Sequence, residues 1–254
     1  MKVQVLASGS KGNCTYIESK NTKILIDVGI NYLRIKKELD KINVDINTLD
    51  GVLITHTHSD HISGLASLIK KVNIPVFIKE ELESEIKKII SQENIEIVDN
   101  RFNLNDFDIE VINASHDVPS FGFIVNGNNK SAVYLTDTGY INRKYYELTA
   151  NKEIYIIESN HDEQMLMDGP YPYILKQRVI SDKGHLSNKY TGRYLNKIIG
   201  NNTKYVILAH LSEHNNTPEL ALEQVKGEIE NIKFDYNNII IARQYEETEM
   251  VEVY

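Results

Sequence analysis

The chain has 254 residues, and 41% of them are hydrophobic, which is enough for the core of one large α/β domain. Its formal net charge of −8 excludes a generally basic nucleic-acid coat protein, although local basic patches are compatible with it. The only cysteine, Cys14, excludes an internal disulfide, and no apolar run is long enough to span a bilayer or precedes the first strand as a signal segment. We therefore expect one domain over residues 1–254, located in the cytoplasm and without a membrane partner.

The N-terminal part is predicted to contain strands around a loop of small residues. Apolar runs typical of strands occupy residues 3–6, 15–18 and 23–27. The loop 7–13 contains two glycines and one lysine, so its backbone amides can approach an anion closely. Ser8, Ser10 and Asn13 are therefore candidates for binding a substrate phosphate, while a plain tight turn explains the same loop equally well.

The most informative stretch is THTHSDH at residues 55–61, which follows an apolar, strand-like run. Histidine nitrogens and carboxylate oxygens bind zinc, manganese or iron well. His56 and His58 alternate along an extended backbone, so both side chains can face one point. Asp60 and His61 lie beyond the turn and can face a second point. The motif therefore predicts two neighbouring metal ions rather than one.

The rest of the chain alternates between strand-like and helix-like patterns. Further strands are predicted at residues 74–78, 95–98, 108–113, 121–125, 131–135, 154–157, 205–209 and 239–242. Helices are predicted at residues 31–39, 62–71 and 80–90, in a segment that ends at 199, and at 217–229, where Thr217 and Pro218 mark a clear start. We see no repeats and no domain boundary.

Several of the apolar runs end in an acid or a histidine. These residues are Asp27, His56, His116, Asp137, Glu158 and His210. Strand ends in a layered α/β fold gather along one edge, so these side chains can converge there. Most of the eight histidines lie at or near strand ends, which isolated surface or core histidines would not explain.

The motif at 55–61, together with His116, Asp137 and His210, resembles the metallo-β-lactamase superfamily over essentially the whole chain. The resemblance implies an α/β fold, a four-layer αββα sandwich with a two-metal site on one edge. Within the superfamily, the closest resemblance is to small bacterial proteins of the YycJ/WalJ/VicX type, on the segments 7–13, 135–139, 158–162, 181–188 and 209–212. That resemblance implies a metal-dependent hydrolase, an exonuclease directed to DNA 5′ ends, with a role in mismatch repair.

The resemblance also assigns roles to individual residues. One ion would be bound by His56, His58 and His116, the other by Asp60, His61 and His210, with Asp137 between them. The two divalent ions would be zinc or manganese, and iron is compatible with the same ligands. Asp60 would also orient the attacking hydroxide. His185 matches a histidine that lies beside the scissile phosphate in related phosphodiesterases, where it could donate a proton, although an ordinary loop histidine is the alternative.

Lys176 and Arg178, with the neighbouring Tyr171 and Tyr173, are candidates for contacts with phosphates and bases, and a solvated loop with packed tyrosines explains them as well. A β-lactamase would be expected to have an export signal and, commonly, a cysteine where Asp137 stands. Three alternatives stay open: an RNA-processing nuclease, a hydrolase of small phosphodiesters, and a non-catalytic metal-binding regulator linked to cell-wall signalling. The sequence leaves open the metal, the choice between DNA and RNA, and the oligomeric state.

Overall fold

The computed structural model describes residues 1–254 and contains two mixed β-sheets of seven strands each. In spatial order, the first sheet contains β14 (Val251–Glu252), β1 (Lys2–Ala7), β2 (Cys14–Glu18), β3 (Lys23–Ile26), β4 (Gly51–Leu53), β5 (Val76–Ile78) and β6 (Ile95–Ile97). The second contains β13 (Ile239–Ile241), β12 (Tyr205–Ala209), β11 (Ile154–Glu158), β10 (Lys130–Leu135), β9 (Phe121–Gly127), β8 (Phe107–Asn113) and β7 (Arg101–Leu104).

Helices cover the sheets. They are α1 (Tyr32–Lys41), α2 (Ser59–Ile62), α3 (Leu65–Val72), α4 (Glu83–Ile86), α5 (Tyr146–Thr149), α6 (Glu163–Asp168), α7 (Tyr173–Ile180), α8 (Asn188–Ile198) and α9 (Pro218–Glu228). Asn31, Ser187 and Thr217 cap α1, α8 and α9, because each side chain accepts a hydrogen bond from a backbone N–H of the first turn. No helix is both long and apolar enough to cross a membrane.

The strand β11 shows how the layers are packed. Ile154 and Ile156 belong to the large core that also contains residues of the first sheet, of α1 and of α3. Tyr155 and Ile157 point the other way, into a second core shared with Leu195 of α8 and with residues of α9. Because successive side chains of a strand face opposite sides, both faces of this sheet are buried. The predicted four-layer αββα sandwich is therefore confirmed.

Several local predictions were wrong. The helix expected at 62–71 begins at Ser59 and is interrupted at Gly64, where a Cβ would lie 1.9 Å from the carbonyl oxygen of Ile30. The helix expected at 80–90 is only a single 3-10 turn followed by α4. The sequence analysis also missed α7 and the edge strands β7 and β14, which are short or lack a buried face.

The strand ends position the functional side chains. The pairs β3–β4, β10–β11 and β11–β12 are parallel, so their carboxyl ends lie at one edge of each sheet. Three residues just beyond these strands adopt left-handed backbone conformations: Asp27 (φ 60°) and His210 (φ 56°) directly follow β3 and β12, and Asp137 (φ 53°) lies two residues after β10. Such conformations persist only where the surroundings hold them, and they gather at functional sites. The three turns direct carboxylate and imidazole groups towards the same cleft.

Candidate metal centre

A cleft of about 270 Å³ opens where the ends of the two sheets meet. The predicted site residues that line it are Ser10, His58, Asp60, His116, Asp137, Arg178, His185 and His210. His56 and His61, which are completely buried, adjoin these residues. The structure therefore brings all seven predicted metal ligands together at one end of the molecule.

The ligands form two groups. In the first, the donor atoms of His56, His58 and His116 lie within 4.8 Å of one another, and His56 Nε2 is 3.2 Å from His58 Nδ1. In the second, Asp60 Oδ2 lies 3.5 Å from His61 Nε2 and 3.6 Å from His210 Nε2. The two groups are those expected from the sequence.

Asp137 lies between the two groups. Its carboxylate forms a donor cluster with His56 of the first group and His61 of the second. Burial raises the pKa of Asp137, but His210 and His61 outweigh burial and hold this pKa well below its ordinary value. Asp137 is therefore ionised and placed where one carboxylate can contact cations on both sides.

Each of the five histidines predicted as metal ligands pairs one ring nitrogen with an oxygen outside the two groups. The pairs are His56 Nδ1 with Thr55 Oγ1 (3.0 Å), His58 Nε2 with Asp117 Oδ1 (3.4 Å), His61 Nδ1 with Asp27 Oδ2 (2.7 Å), His116 Nδ1 with the carbonyl oxygen of Gly184 (3.3 Å) and His210 Nδ1 with Glu158 Oε1 (2.9 Å). A ring nitrogen that donates outward leaves the other nitrogen with a lone pair directed into the site. This arrangement fixes the tautomer that a metal ligand requires.

The inward-facing atoms fit a cation. His210 Nε2 and Asp137 Oδ2 are buried without a hydrogen-bond partner. Asp137 Oδ2 also lies 3.1 Å from His61 Nε2, a contact between two acceptors when His61 donates to Asp27. Burial lowers the pKa of His210, yet the carboxylates of Asp137, Asp60 and Glu158 raise this pKa to about 10. The site therefore stabilises positive charge, and divalent ions would bind the nitrogen and oxygen atoms that have no hydrogen-bond partner.

Asp27 supports the second group, a role that the sequence analysis did not assign. Its Oδ2 accepts from His61 Nδ1 (2.7 Å) and from Thr55 Oγ1 (2.8 Å), and its Oδ1 accepts from the Thr55 N–H (2.8 Å). The side chain is completely buried. Its position at the end of β3, an acid after an apolar strand, was the signal that could have identified it.

Replacing Asp27 with alanine is expected to weaken both folding and metal binding. His61 and Thr55 would lose a buried acceptor, at a cost of about 3–5 kcal/mol in the free energy of unfolding. Metal affinity should fall about 10–100-fold because His61 loses its orientation. Urea unfolding and chelator competition measure the two effects. Asp27→Asn is the control, because asparagine tolerates the left-handed backbone, and it should lose less stability and less metal affinity. Unchanged metal affinity in both variants would contradict this role of Asp27.

Glu158 connects two histidines through one oxygen. Its Oε1 lies 2.8 Å from His185 Nδ1 and 2.9 Å from His210 Nδ1. Its Oε2 accepts from the backbone N–H groups of Thr138 and Leu186. Burial would raise the pKa of Glu158, but the charge of His185 and the hydrogen bonds from His185 and His210 lower it to about 2. Glu158 is therefore a fixed anion that orients both a predicted metal ligand and the predicted proton donor.

His185 reaches the cleft from the loop before α8. Its ring centroid lies 5.2 Å from that of His116 and 5.3 Å from that of His210. Because Nδ1 faces Glu158, Nε2 is the nitrogen left for a substrate. Burial lowers the pKa of His185, while Glu158 more than compensates and raises this pKa above its ordinary value. The position suits a proton donor beside the metal ligands.

The candidate substrate contacts have different surroundings. Ser8 and Asn13 are buried: Ser8 Oγ accepts from the His210 N–H at 2.7 Å, and Asn13 Nδ2 lies 3.2 Å from Asp60 Oδ2. Ser10 is exposed and lines the cleft. Arg178 of α7 also lines the cleft, whereas Lys176 does not and donates to the carbonyl oxygen of Met167 at 2.5 Å. Ser10 and Arg178 are the two that face the place where substrate would bind.

Asp117 links α7 to the first ligand group. Its carboxylate pairs with Arg178, and its Oδ1 lies 3.4 Å from His58 Nε2 and 3.3 Å from His116 Nε2. Burial would raise the pKa of Asp117, but His116 and Arg178 keep it below its ordinary value. The ionised side chain of Asp117 is thus placed to orient His58. Its position next to His116 in the sequence brings it close to this ligand group.

His161 is expected to make stability depend on pH. Burial lowers its pKa to about 4 in the folded protein, whereas the unfolded chain keeps an ordinary value of about 6.5. Between pH 4 and 6.5, the unfolded chain therefore binds more protons than the folded protein. The contribution of His161 to the free energy of unfolding is complete above pH 6.5 and declines as the pH falls to 4. The loss can reach about 3 kcal/mol.

Urea unfolding of the metal-free protein and of His161→Gln, from pH 7.5 to 4, measures this contribution. All other residues are the same in both proteins, so the difference between the two unfolding free energies isolates His161. The variant should lose less stability on acidification. His214→Gln, at an exposed histidine, should follow the wild-type curve. Parallel curves for wild type and His161→Gln would show that His161 does not titrate in this range.

The geometry and the sequence point to the same family. Residues 22–211 match the Beta-lactamase superfamily domain. The chain belongs to this superfamily, as its motifs predicted. It is also similar over most of its length to the exodeoxyribonuclease WalJ of Streptococcus pneumoniae serotype 2, with 39% identity over 229 residues, 87% of this chain and 85% of that protein.

Two further comparisons agree. The exodeoxyribonuclease YycJ of Bacillus anthracis is 35% identical over 237 residues, which cover 91% of this chain and 89% of that protein. The crystal structure of the metallo-beta-lactamase fold protein YhfI from Bacillus subtilis superposes with a TM-score of 0.72 at 16% identity, over 97% of this chain and 98% of that one. The first comparison confirms the predicted resemblance to the WalJ/YycJ type, and the second confirms the fold.

Proposed function

We propose that this chain is a metal-dependent exodeoxyribonuclease, a hydrolase that removes nucleotides from DNA ends with two divalent ions. The observation that carries the proposal is the pair of all-nitrogen and oxygen ligand groups that share Asp137 in one cleft. Such paired sites suit displacement at phosphorus, where both the attacking and the leaving oxygens carry charge. The names of the WalJ and YycJ relatives support DNA as the substrate.

Each ligand group would hold one of the two ions. His56, His58 and His116 would hold one ion, Asp60, His61 and His210 would hold the other, and Asp137 would contact both. Zinc and manganese both accept these ligands. When bound, the ions polarise the phosphoryl oxygens and lower the pKa of a water molecule towards neutrality.

The chain's own residues orient the substrate and move a proton. Asp60 is placed to accept a hydrogen bond from the attacking water and so to orient it. His185 would donate the proton on Nε2 to the leaving oxygen, while Glu158 Oε1 accepts from the Nδ1–H and raises the pKa of the ring above its ordinary value. Glu158 is thus a positioning residue, and His185 is the general acid.

The cleft also contains groups for the phosphate backbone. Arg178 and Lys183 line it and are cationic, and Ser10 presents a hydroxyl from the small-residue loop. Because the overall charge is −8, these local cations are the groups that attract the phosphates. We assign Ser10 to the terminal phosphate of a 5′ end, which favours attack from an end over attack within a strand.

The cellular location follows from the chemistry of the cysteine. Cys14 is the only cysteine, it is free, and burial raises the pKa of its thiol. A chain without disulfides is typical of a reducing compartment, and the proposed substrate is DNA. We therefore place the enzyme in the cytoplasm.

A substrate comparison tests the proposal. The purified protein, supplied with manganese or zinc, is offered linear and circular single strands, double-stranded DNA, and RNA of the same sequence, with label at one end. Linear DNA should be degraded progressively from its 5′ end, 5′-phosphorylated strands faster than 5′-hydroxyl strands, and circles should resist. Rapid cleavage of circular DNA would contradict end-directed attack, and hydrolysis of lactams or thioesters without any nuclease activity would overturn the proposed class.

A further inference from the structure

A second cavity, of about 390 Å³, adjoins the metal cleft. His185 is the one residue that lines both. Two residues close to His185 in the sequence also line different cavities: Lys183 lines the metal cleft and Asp182 lines the second cavity. A substrate whose leaving group meets His185 therefore has its next unit at the mouth of this cavity. Its volume lies within the range of about 300–1,000 Å³ that is usual for small-molecule sites.

The lining combines five aromatic or apolar side chains with acidic, histidine and serine groups, and it contains no lysine or arginine. Tyr140, Tyr190, Met167 and Ile180 are 41%, 50%, 46% and 45% exposed, so four of the ten large hydrophobic side chains exposed on this protein surround one cavity. Exposed apolar side chains gathered in one place indicate a binding site rather than ordinary surface. The absence of cationic side chains excludes a phosphate subsite, whereas two carboxylates, Glu163 and Asp182, can accept hydrogen bonds from a ligand.

Several side chains that line the cavity are buried or are held by a neighbouring residue. His161 is 2% exposed, and its Nδ1 has no hydrogen-bond partner. Glu163 Oε1 accepts from Ser187 Oγ at 2.9 Å. The guanidinium of Arg193 lies 5.4 Å from the centroid of the Tyr190 ring, a cation–π contact that holds this ring. An unpaired buried imidazole and an oriented carboxylate beside tyrosine rings match a flat heterocycle that carries hydrogen-bond donors and acceptors at its edge.

We propose that this cavity binds a nucleobase of the substrate strand, that of the nucleotide next to the phosphodiester held beside His185. The proposal deepens the proposed function, on which it rests for the identity of the ligand. The Tyr140 and Tyr190 rings stack on the base, and His161, Glu163 and Asp182 meet its edge. The strand thus leaves the cationic cleft for an aromatic pocket without lysine or arginine, so the enzyme holds phosphate and base in separate places.

Binding of modified strands tests this pocket. A set of nuclease-resistant phosphorothioate oligonucleotides, each with one abasic site at successive positions from the 5′ end, is titrated into the metal-loaded protein. At one position near the cleaved bond, loss of the base should weaken binding about tenfold. Tyr190→Ala and Tyr140→Ala should weaken binding of the intact strand by a similar factor. In these variants the abasic site should then cost little more, because the base and the ring act as one pair.

Three controls make the comparison specific. Tyr190→Phe keeps the ring and should behave as wild type, and so should Tyr254→Ala, whose ring is 91% exposed and lines neither cavity. Metal content and thermal unfolding of each variant establish that the fold and the metal centre are intact. The proposal is overturned if no abasic position affects the wild type, or if the full abasic penalty persists in both alanine variants. Cleavage of unmodified DNA is measured in parallel, so that failure of the nuclease function is seen separately from failure of the base pocket.

Discussion

Replacing Asp137 with alanine is expected to abolish nuclease turnover and to weaken the binding of both metal ions. Asp137 is the proposed ligand of both ions, since its carboxylate clusters with His56 of one group and His61 of the other, and its Oδ2 has no hydrogen-bond partner. Without it, the cluster loses a buried anion that helps to balance two divalent charges. Since the ions contribute several kcal/mol of transition-state stabilisation, turnover should fall at least about a thousandfold.

Elemental analysis and single-turnover cleavage of labelled DNA measure the two effects of Asp137→Ala. Asp99→Ala, at an exposed aspartate between β6 and β7, is the matched control and should retain both metal and activity. Asp60→Ala should lower the occupancy of the second group and the rate, because Asp60 belongs to that group alone. Full occupancy of both ions in Asp137→Ala would show that Asp137 does not bridge them.

Replacing His185 with alanine is expected to slow cleavage strongly while both metals remain bound. The proposed ligand sets do not include His185, so metal content should not change, although its ring also lies in a donor cluster with Asp137, Glu158 and His210. Loss of a general acid costs about 10²–10⁴-fold in rate. DNA affinity should change much less, because a proton transferred in the transition state contributes little to binding of the ground state. Metal content, DNA affinity and single-turnover rate are measured for the same preparation.

Two variants separate this role from its alternatives. His214→Ala, at an exposed histidine outside the cleft lining, should leave the rate unchanged. Glu158→Gln should reduce both rate and metal affinity, because Glu158 holds His210 as well as His185. Normal turnover by His185→Ala would remove His185 from the chemistry. Loss of a metal ion in that variant would instead make His185 a ligand, which its proximity to Asp137, 3.7 Å from Nδ1 to Oδ1, also permits.

The sequence was most informative where the chemistry is local. The motif at 55–61 contains four candidate ligands within six residues. The first two lie in an extended segment and the last two in the helix that follows, which explains their division into two groups. His116, Asp137 and His210 could be added because each follows an apolar strand. The four layers were expected from the resemblance to the superfamily, and β11, which is apolar on both faces, fits a sheet buried between two layers.

The sequence was least informative where partners are distant in the chain. Glu158 meets His210, 52 positions away, and Asp27 meets His61, 34 positions away, through pairings that only the assembled sheets create. The left-handed backbone at His210 could not be expected either, because residues other than glycine adopt it only rarely, although histidine does so more often than most. Helix α7 was missed because it buries no residue and so shows no amphipathic period.

A stoichiometric titration tests the central claim most directly. Protein stripped with a chelator is reloaded with increasing amounts of manganese, and cleavage of end-labelled linear DNA is measured against the number of bound ions per chain. The two ligand groups that share Asp137 predict no activity without metal and a maximum at two ions per chain. A maximum already reached at one ion, or full cleavage by the stripped protein, would contradict a two-metal nuclease.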